Sequence, residues 1–278
     1  MAIFDEIDVN KDETISREEF RIAIEKMRNM DLQKMKRALQ VNDIAFTHRA
    51  SVMGRKVLVS DEFNAWQFIK SLPEYQYVAD LCPPPALPPK EAGSPKYTLV
   101  VDMDETLLHC DVDLEASKLA PHHTFEVTHQ GKHFVIHAWL RPGLMDFLEK
   151  IAGQFEVVIF TASQSAYANV ILDILDPDNR FFQHRLFRES CIEVEDNHVK
   201  DLNVLGRDLS TVIMVDNSPH VFGYQVDNGV PISNWYDDPT DNELEKLLWF
   251  LQGLEGDVRN QIRDKFRLHE LIEEAILN

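Results

Sequence analysis

YTLVVDMDETLL, residues 97–108, leads from a short apolar run into a pair of aspartates. The run Tyr97–Val101 has the composition of a buried strand. Because side chains alternate along a strand, Asp102 and Asp104 leave it on the same face. Open α/β sheets bind their ligands at the carboxyl ends of strands. The pair can therefore supply a nucleophile and an acid/base for phosphoryl transfer, and hard oxygen ligands for Mg²⁺.

Two later apolar runs have the same character and are separated from the first by helical patterns. Phe155–Phe160 follows a predicted helix at Leu144–Ile151, and Thr211–Val215 lies further along the chain. Between the first run and that helix, residues 125–140 read as a β-hairpin that turns at Gln130-Gly131. The pattern predicts an α/β fold with a doubly wound parallel sheet and a hairpin insertion.

Polar residues suited to phosphoryl transfer follow the second and third runs. Thr161 can donate a hydrogen bond to a phosphate oxygen, and Lys200 can neutralise phosphate charge. Asp216 and Asn217 can complete a magnesium shell. Each residue alone has an ordinary explanation, such as a helix cap or a surface charge. Their shared position at strand ends favours an active site.

Composition limits the classes of function. The 278 residues carry 28 basic and 47 acidic side chains, for a net charge of −19, and 44% are hydrophobic. Such a surface repels phosphate backbones, which argues against direct nucleic-acid binding. Three widely spaced cysteines favour a reducing compartment, and no apolar run reaches membrane-spanning length. We expect a cytoplasmic or nuclear protein with no membrane span.

Residues 1–80 contain a pattern that resembles an EF-hand calcium loop. Its Ca²⁺ ligands would be Asp8, Asn10, Asp12, Thr14 through its carbonyl, and Glu19. Glu13 stands where Gly normally makes the sharp turn, and an acidic helix cap is the alternative interpretation. Ser51–Glu62 has only the skeleton of a second loop and lacks acidic early ligands. We therefore predict an EF-hand-like pair with a degenerate second loop.

Residues 81–96 contain six prolines and read as a semi-extended linker, with a proline-rich docking motif as the alternative. A phosphatase domain would then occupy residues 97–278. Its tail, Asp257–Leu277, has the spacing of one amphipathic helix.

Residues 97–253 resemble the FCP/SCP-type phosphatases of the haloacid dehalogenase superfamily, small phosphatases acting on phosphoserine in the RNA polymerase II tail. The matching segments are DMDETLLH, LRPG, VVIFTAS, HRLFRESC, VKDLNVLGRDL and VIMVDNSP. The resemblance implies a protein serine/threonine phosphatase with a phosphoprotein substrate. It implies that Asp102 becomes an aspartyl phosphate and that Asp104 is the acid/base, with Thr161 and Lys200 as phosphate ligands.

The same resemblance implies a magnesium site and a substrate site. Mg²⁺ would be held by Asp102, the Asp104 carbonyl and Asn217, with Asp216 close by, while Arg188 and Tyr167 would bind substrate. The apolar pocket of the nuclear members corresponds to Val112, Val127, His129, Ile136, Gln164 and Tyr167. His129 and Gln164 are polar there, which departs from the pattern.

Other interpretations remain open on sequence grounds. Relatives of this fold also serve as non-catalytic receptors or adaptors, and the superfamily includes small-molecule phosphatases. Five hairpin histidines invite a zinc hypothesis, without accompanying Cys or acidic ligands: His122, His123, His129, His133 and His137. The sequence leaves the oligomeric state open.

Overall fold

The computed structural model describes residues 63–84, 86–112, 114, 117–129, 131–195 and 197–275. The predicted calcium loop and its degenerate partner lie outside these residues. The strands are β1 Tyr97–Val101, β2 Leu108–Asp111, β3 His123–His129, β4 Lys132–Leu140, β5 Phe155–Phe160, β6 His184–Leu186, β7 Ile192–Val194, β8 Asn197–Val199, β9 Val212–Asp216 and β10 Gly229–Pro231. The α-helices are α1 Ala65–Ser71, α2 Tyr75–Val78, α3 Leu144–Ile151, α4 Ser165–Leu175, α5 Glu243–Gln252, α6 Val258–Phe266 and α7 Leu268–Glu274.

A five-stranded sheet in the order β10-β9-β1-β5-β6 forms the centre of the domain, and its neighbouring strands pair in parallel. The predicted parallel α/β architecture is confirmed. The three strands recognised in the sequence, β1, β5 and β9, are the three central ones. In the register of the sheet, Val101 lies between Ile159 and Val215, so these strands end side by side.

Both faces of the sheet are buried, which explains why its three central strands are largely apolar. Leu99 and Val101 pack on one face with helices α3 to α6. Val100 packs on the other face in a cluster that includes Leu202 and Leu268. A strand covered on both sides gains nothing from polar alternation.

A smaller antiparallel sheet, β2-β4-β3, is inserted directly after the β1 loop. It contains the predicted hairpin, whose strands begin two residues earlier and one residue earlier than the sequence indicated. Its β2 strand pairs with the end of β4, so that Leu108 lies opposite Leu140. The insertion therefore grows out of the same loop that carries the two aspartates.

The segment before Tyr97 differs from the predicted module and linker. Helix α1 packs through Phe68 against Ile192 and Val199, so residues 63–80 join the domain that the sequence placed after residue 96. The proline-rich segment also lies on this domain. Ala86 N donates to Val204 O at 2.8 Å, and Arg207 donates to the Pro88 carbonyl at 2.9 Å. Residues 81–96 are thus held on the domain by hydrogen bonds in place of the expected free spacer.

The tail also differs from prediction, because it forms two helices. Arg267 has a φ of +51°, a left-handed conformation that ends α6 and starts α7. Ile262 and Leu268 are buried against the domain on either side of this break. Within the described residues, no helix is long and apolar enough to cross a membrane.

Candidate active site

The carboxyl ends of the three central strands bring the predicted residues together. Asp102 follows β1, Thr161 follows β5, and Asp216 is the last residue of β9. The backbone at this edge is fixed, because Asp102 N donates to Val215 O and Thr161 N donates to Leu186 O, each at 3.0 Å. Sheet pairing thus fixes the backbone positions from which the Asp102 and Thr161 side chains extend.

Lys200 joins two of these strand ends. Its Nζ donates to Asp102 Oδ1 at 2.7 Å and to Asp216 Oδ2 at 2.6 Å, and the side chain is buried. Burial by itself lowers the pKa of this ammonium group, but the charges of Asp102 and Asp216 raise the pKa above its usual value. Lys200 therefore stays charged and can balance negative charge in the site.

Two carboxylates share this single ammonium group, which leaves excess negative charge. Burial, followed by the charge of Asp102, raises the pKa of Asp216 to about 7, while Lys200 opposes the rise. Ser218 N donates to Asp216 Oδ1 at 2.8 Å and fixes the second oxygen. Negative charge is tolerated here only with help from neighbouring donors or a cation.

The Asp104 carboxyl group has a different set of partners from those of Asp102 and Asp216. Ser163 Oγ donates to its Oδ2 at 2.7 Å, and Tyr167 OH donates to its Oδ1 at 2.9 Å. Burial, then the charges of Glu105 and Asp102, hold the pKa of Asp104 well above its usual value. A carboxyl group with a raised pKa can carry a proton at neutral pH, as a general acid must.

Two hydroxyl residues in the site were missed by the sequence reasoning. Ser163 also donates its backbone N–H to Thr161 Oγ1 at 3.0 Å, so it orders both Thr161 and Asp104. Thr106 Oγ1 donates to Asp102 Oδ2 at 2.9 Å and lies 3.3 Å from Asn217 Oδ1. The sequence offered one indication of their role, because Thr106 lies two residues after Asp104 and Ser163 lies two residues after Thr161.

The predicted magnesium ligands form an oxygen-rich set. Asp102, Asp216 and the Asn217 carboxamide oxygen converge, and Asn217 is oriented by donating to Asn234 Oδ1 at 2.9 Å. Mg²⁺ prefers such hard oxygen donors, and the unbalanced carboxylate charge favours a cation. The residues present therefore fit Mg²⁺.

Across the described part of the chain, no group of three or more His, Cys, Asp or Glu side chains is arranged to hold a metal. This applies to the hairpin histidines whose side chains are described. His133 and His137 pair instead with Thr128 and Thr124, at 2.9 and 3.0 Å. A magnesium site would thus depend on amide, carbonyl and water oxygens beside its carboxylates.

The two predicted substrate-binding residues have different positions. Arg188 is half-buried and donates from Nε to the Ala162 carbonyl at 2.8 Å, beside the end of β5. Tyr167 is fully buried and holds Asp104. Its hydroxyl group thus contacts Asp104, and its side chain is not exposed for the predicted contact with substrate. Val127 and Ile136, expected to line the same pocket, are also buried in the core.

Comparison with known proteins matches most of the chain to one family. The family model for NLI interacting factor-like phosphatase matches residues 97–263. The CTD small phosphatase-like protein 2 of Dictyostelium discoideum is 49% identical over 217 residues, covering 77% of this chain and 37% of that protein. The CTD small phosphatase-like protein 3 of Caenorhabditis elegans is 44% identical over 216 residues, covering 76% of this chain and 73% of the relative.

Two features of these matches define their extent. The chain spans little more than a third of the length of the Dictyostelium relative. The aligned 217 residues exceed the 182 residues from Tyr97 to the C-terminus, so the likeness extends upstream of Tyr97. Among solved structures, a variant of the fission yeast RNA polymerase II CTD phosphatase Fcp1 bound to beryllium fluoride matches at 21% identity and a TM-score of 0.44, covering 66% of this chain and 58% of that chain.

Proposed function

Because this chain belongs to the NLI interacting factor-like phosphatase family, we propose that it is a Mg²⁺-dependent protein serine/threonine phosphatase that works through an aspartyl-phosphate intermediate. The observation that carries the proposal is the position of Asp102. Its two carboxylate oxygens are held separately, by Lys200 and by Thr106, at the end of the central strand. A fixed carboxylate beside a buried ammonium group is suited to nucleophilic attack on a phosphate that the same ammonium group helps to bind.

In the first step, an Asp102 oxygen attacks phosphorus and the bond between phosphorus and the substrate hydroxyl oxygen breaks. Asp104 gives its proton to that leaving oxygen, which suits its raised pKa. Lys200 and Thr161 would bind the phosphate oxygens, because Lys200 Nζ contacts Asp102 and Thr161 Oγ1 lies 3.5 Å from Asp104 Oδ2.

In the second step, water attacks the phosphorus of the aspartyl phosphate. Asp104, now ionised, accepts a proton from this water, and the bond between Asp102 and phosphorus breaks to release inorganic phosphate. Ser163 and Tyr167 hold the Asp104 carboxyl group through both steps, which keeps it aimed at one site.

Mg²⁺ would be held by Asp102, the backbone carbonyl of Asp104 and Asn217, with Asp216 beside it. When bound, it would offset negative charge on the phosphoryl group. The oxygen-only donor set and the surplus carboxylate charge support this assignment.

The remaining proposals concern partners outside the site. The relatives' names support a phosphoprotein substrate, and the acidic composition is unfavourable for direct nucleic-acid binding. We also propose that the loop from Asp8 to Glu19 binds Ca²⁺ and that the protein is cytoplasmic or nuclear.

The test is hydrolysis of an aryl phosphate with and without Mg²⁺. Wild-type protein should hydrolyse the aryl phosphate in Mg²⁺, and hydrolysis should stop when the metal is chelated. Asp102→Asn should abolish turnover, because an amide cannot form the acyl phosphate. Asp178→Asn changes an exposed aspartate in the same way and should leave turnover intact. Near wild-type activity of Asp102→Asn would rule out the mechanism, and absence of wild-type activity would favour the adaptor class.

A further inference from the structure

Residues 63–82, here called the strap, lie upstream of the segment matched by the family model. The strap contains α1 and α2 and contacts the two chain segments that flank the catalytic centre. One is Lys200-Asp201, and the other is the turn Ser218–Gly223 that follows the proposed magnesium ligands. The strap therefore contacts residues that neighbour the proposed catalytic groups, and it does so through Asp201 and His220.

The first contact is to the residue next to the catalytic lysine. Asp201 is fully buried, and its Oδ2 accepts hydrogen bonds from Tyr75 OH and Cys82 Sγ, each at 2.7 Å. Its Oδ1 is satisfied within the domain by Asn203 and Gln225, at 2.8 to 3.0 Å. Burial, then the bond to Asp201, raises the pKa of the Cys82 thiol to about 11, so this group remains a donor at neutral pH.

Loss of these donors would leave one oxygen of a buried carboxylate without its two observed partners. A buried charged group that loses its donors is expensive, and the chain relieves the cost by moving the group toward water. A displacement of the Asp201 backbone is passed to Lys200 through the planar peptide bond that joins them. The Lys200 ammonium bridges two carboxylates at 2.6 to 2.7 Å, so a small backbone shift would break that geometry.

The second contact is to the turn on the other side of Lys200. The rings of Phe63 and Phe68 meet the His220 ring edge-on, with centroids 4.9 and 5.6 Å apart. A Cβ at Gly223 would lie 2.6 Å from Leu72 Cδ1 and 3.2 Å from Ile69 Cγ1, so the strap packs closely on this glycine. The same turn accepts the Lys200 backbone N–H at Val221 O, at 2.7 Å.

We propose that the strap is a positioning element of the catalytic centre, which fixes Lys200 by holding Asp201 and the turn Ser218–Gly223. Tyr75 and Cys82 are its positioning residues. This inference rests on the proposed function for its kinetic consequence, while its structural consequence can be measured independently. The upstream extent of the match to the Dictyostelium relative fits a role that the strap shares with that protein.

The kinetic test uses the full chain and an aryl phosphate in Mg²⁺. Tyr75→Phe/Cys82→Ala should lower kcat about tenfold or more with KM within about twofold, because misplacing a reacting group by ~1 Å can cost ~100-fold. Tyr75→Phe/Cys82→Ser restores one hydroxyl donor and should recover most of the loss. Tyr77→Phe alters an exposed tyrosine of the same helix and should have no effect.

A second pair of variants separates positioning from general destabilisation. Gly223→Ala is compatible with the backbone conformation but pushes Leu72 away, so it should lower kcat. Gly223→Ala/Leu72→Ala removes the shortest contact, leaves His220 O and Ile69 Cγ1 at 3.2 Å, and should therefore recover part of the lost kcat. Unfolding temperatures of all variants are measured alongside, and assays are run well below them.

Hydrogen exchange tests the inference whether or not the chain is a phosphatase. In Tyr75→Phe/Cys82→Ala, peptides covering Val199–Leu205 and Ser218–Gly223 should exchange faster, while those covering β5 should not change. Unchanged exchange in both segments of the variant overturns the proposal. If the wild type is active, a variant kcat equal to that of the wild type overturns it as well. Inactivity of the wild type together with faster exchange would reject only the proposed function.

Discussion

Glu156→Gln should destabilise the domain in a pH-dependent way. Glu156 is the second residue of β5 and is buried among polar partners. Arg207 donates to both of its oxygens at 2.6 and 3.0 Å, and Thr98 Oγ1 donates at 2.7 Å. Burial raises the pKa of this carboxyl group, but the bonds from Arg207 and Thr98 outweigh burial and lower the pKa from 4.5 to about 2.

The size of the effect follows from linkage. A pKa of about 2, against 4.5 unfolded, corresponds to about 3 kcal/mol of stability at neutral pH, at roughly 1.4 kcal/mol for each pH unit. The folded pKa is depressed, so the contribution is present above pH 4.5 and is lost as pH falls toward 2. At pH 3.5 it should be about 2 kcal/mol.

The assay is urea unfolding followed by tryptophan fluorescence at pH 7, 5 and 3.5. The loss caused by Glu156→Gln should be largest at pH 7 and about a third smaller at pH 3.5. Glu149→Gln is the matched control, because Glu149 and Arg180 form an exposed pair that contributes about 0.5 kcal/mol or less. A loss below about 1 kcal/mol at pH 7, or one that does not change with pH, would refute the reasoning.

Arg141→Met should lower the free energy of unfolding in urea by about 3–5 kcal/mol, because the buried guanidinium group donates from two nitrogens to Asp241 at 2.8 Å. Arg141→Lys should not restore the lost stability, because an ammonium group cannot make both bonds in this geometry. A loss under ~1 kcal/mol for Arg141→Met would contradict this prediction. Asp176→Ala should lower the free energy of unfolding by about 2–4 kcal/mol, because the Asp176 carboxylate accepts hydrogen bonds from three backbone N–H groups at 2.6–2.9 Å. The kcat of the folded fraction should stay unchanged, and a changed kcat would contradict a purely structural role. Calorimetry with Ca²⁺ should detect one site that Glu19→Gln removes, and a second site in residues 1–80 would contradict the degenerate loop.

Much of the sheet was predictable because its three central strands are largely apolar and end at polar residues. Helix α3 was predicted at its observed bounds, Leu144–Ile151, because Pro142 precedes its start and Gly153 follows its end. The grouping of Asp102, Thr161 and Asp216 was predictable as well, since parallel strands end at one edge. These features depend on local pattern and on one general rule of topology.

Other features depend on partners that are distant in sequence. The hydroxyls of Thr106 and Ser163 carry no pattern that distinguishes them from loop residues until the sheet places them beside the aspartates. The packing of residues 81–96 on the domain was not predictable from their proline content. Arg207 donates to the Pro88 backbone carbonyl, and every residue has such a carbonyl, so the contact leaves no sequence signal. The break at Arg267 was not predictable, since a left-handed residue other than Gly or Asn leaves no sequence signal.

The most direct test of the central claim is acid-quenched mass spectrometry of the enzyme during turnover of an aryl phosphate in Mg²⁺. The account predicts one phosphoryl group on the peptide that contains Asp102, its removal by hydroxylamine as expected for an acyl phosphate, and no labelling of Asp102→Asn. A phosphoryl group on any other residue, or full turnover by Asp102→Asn, would contradict it.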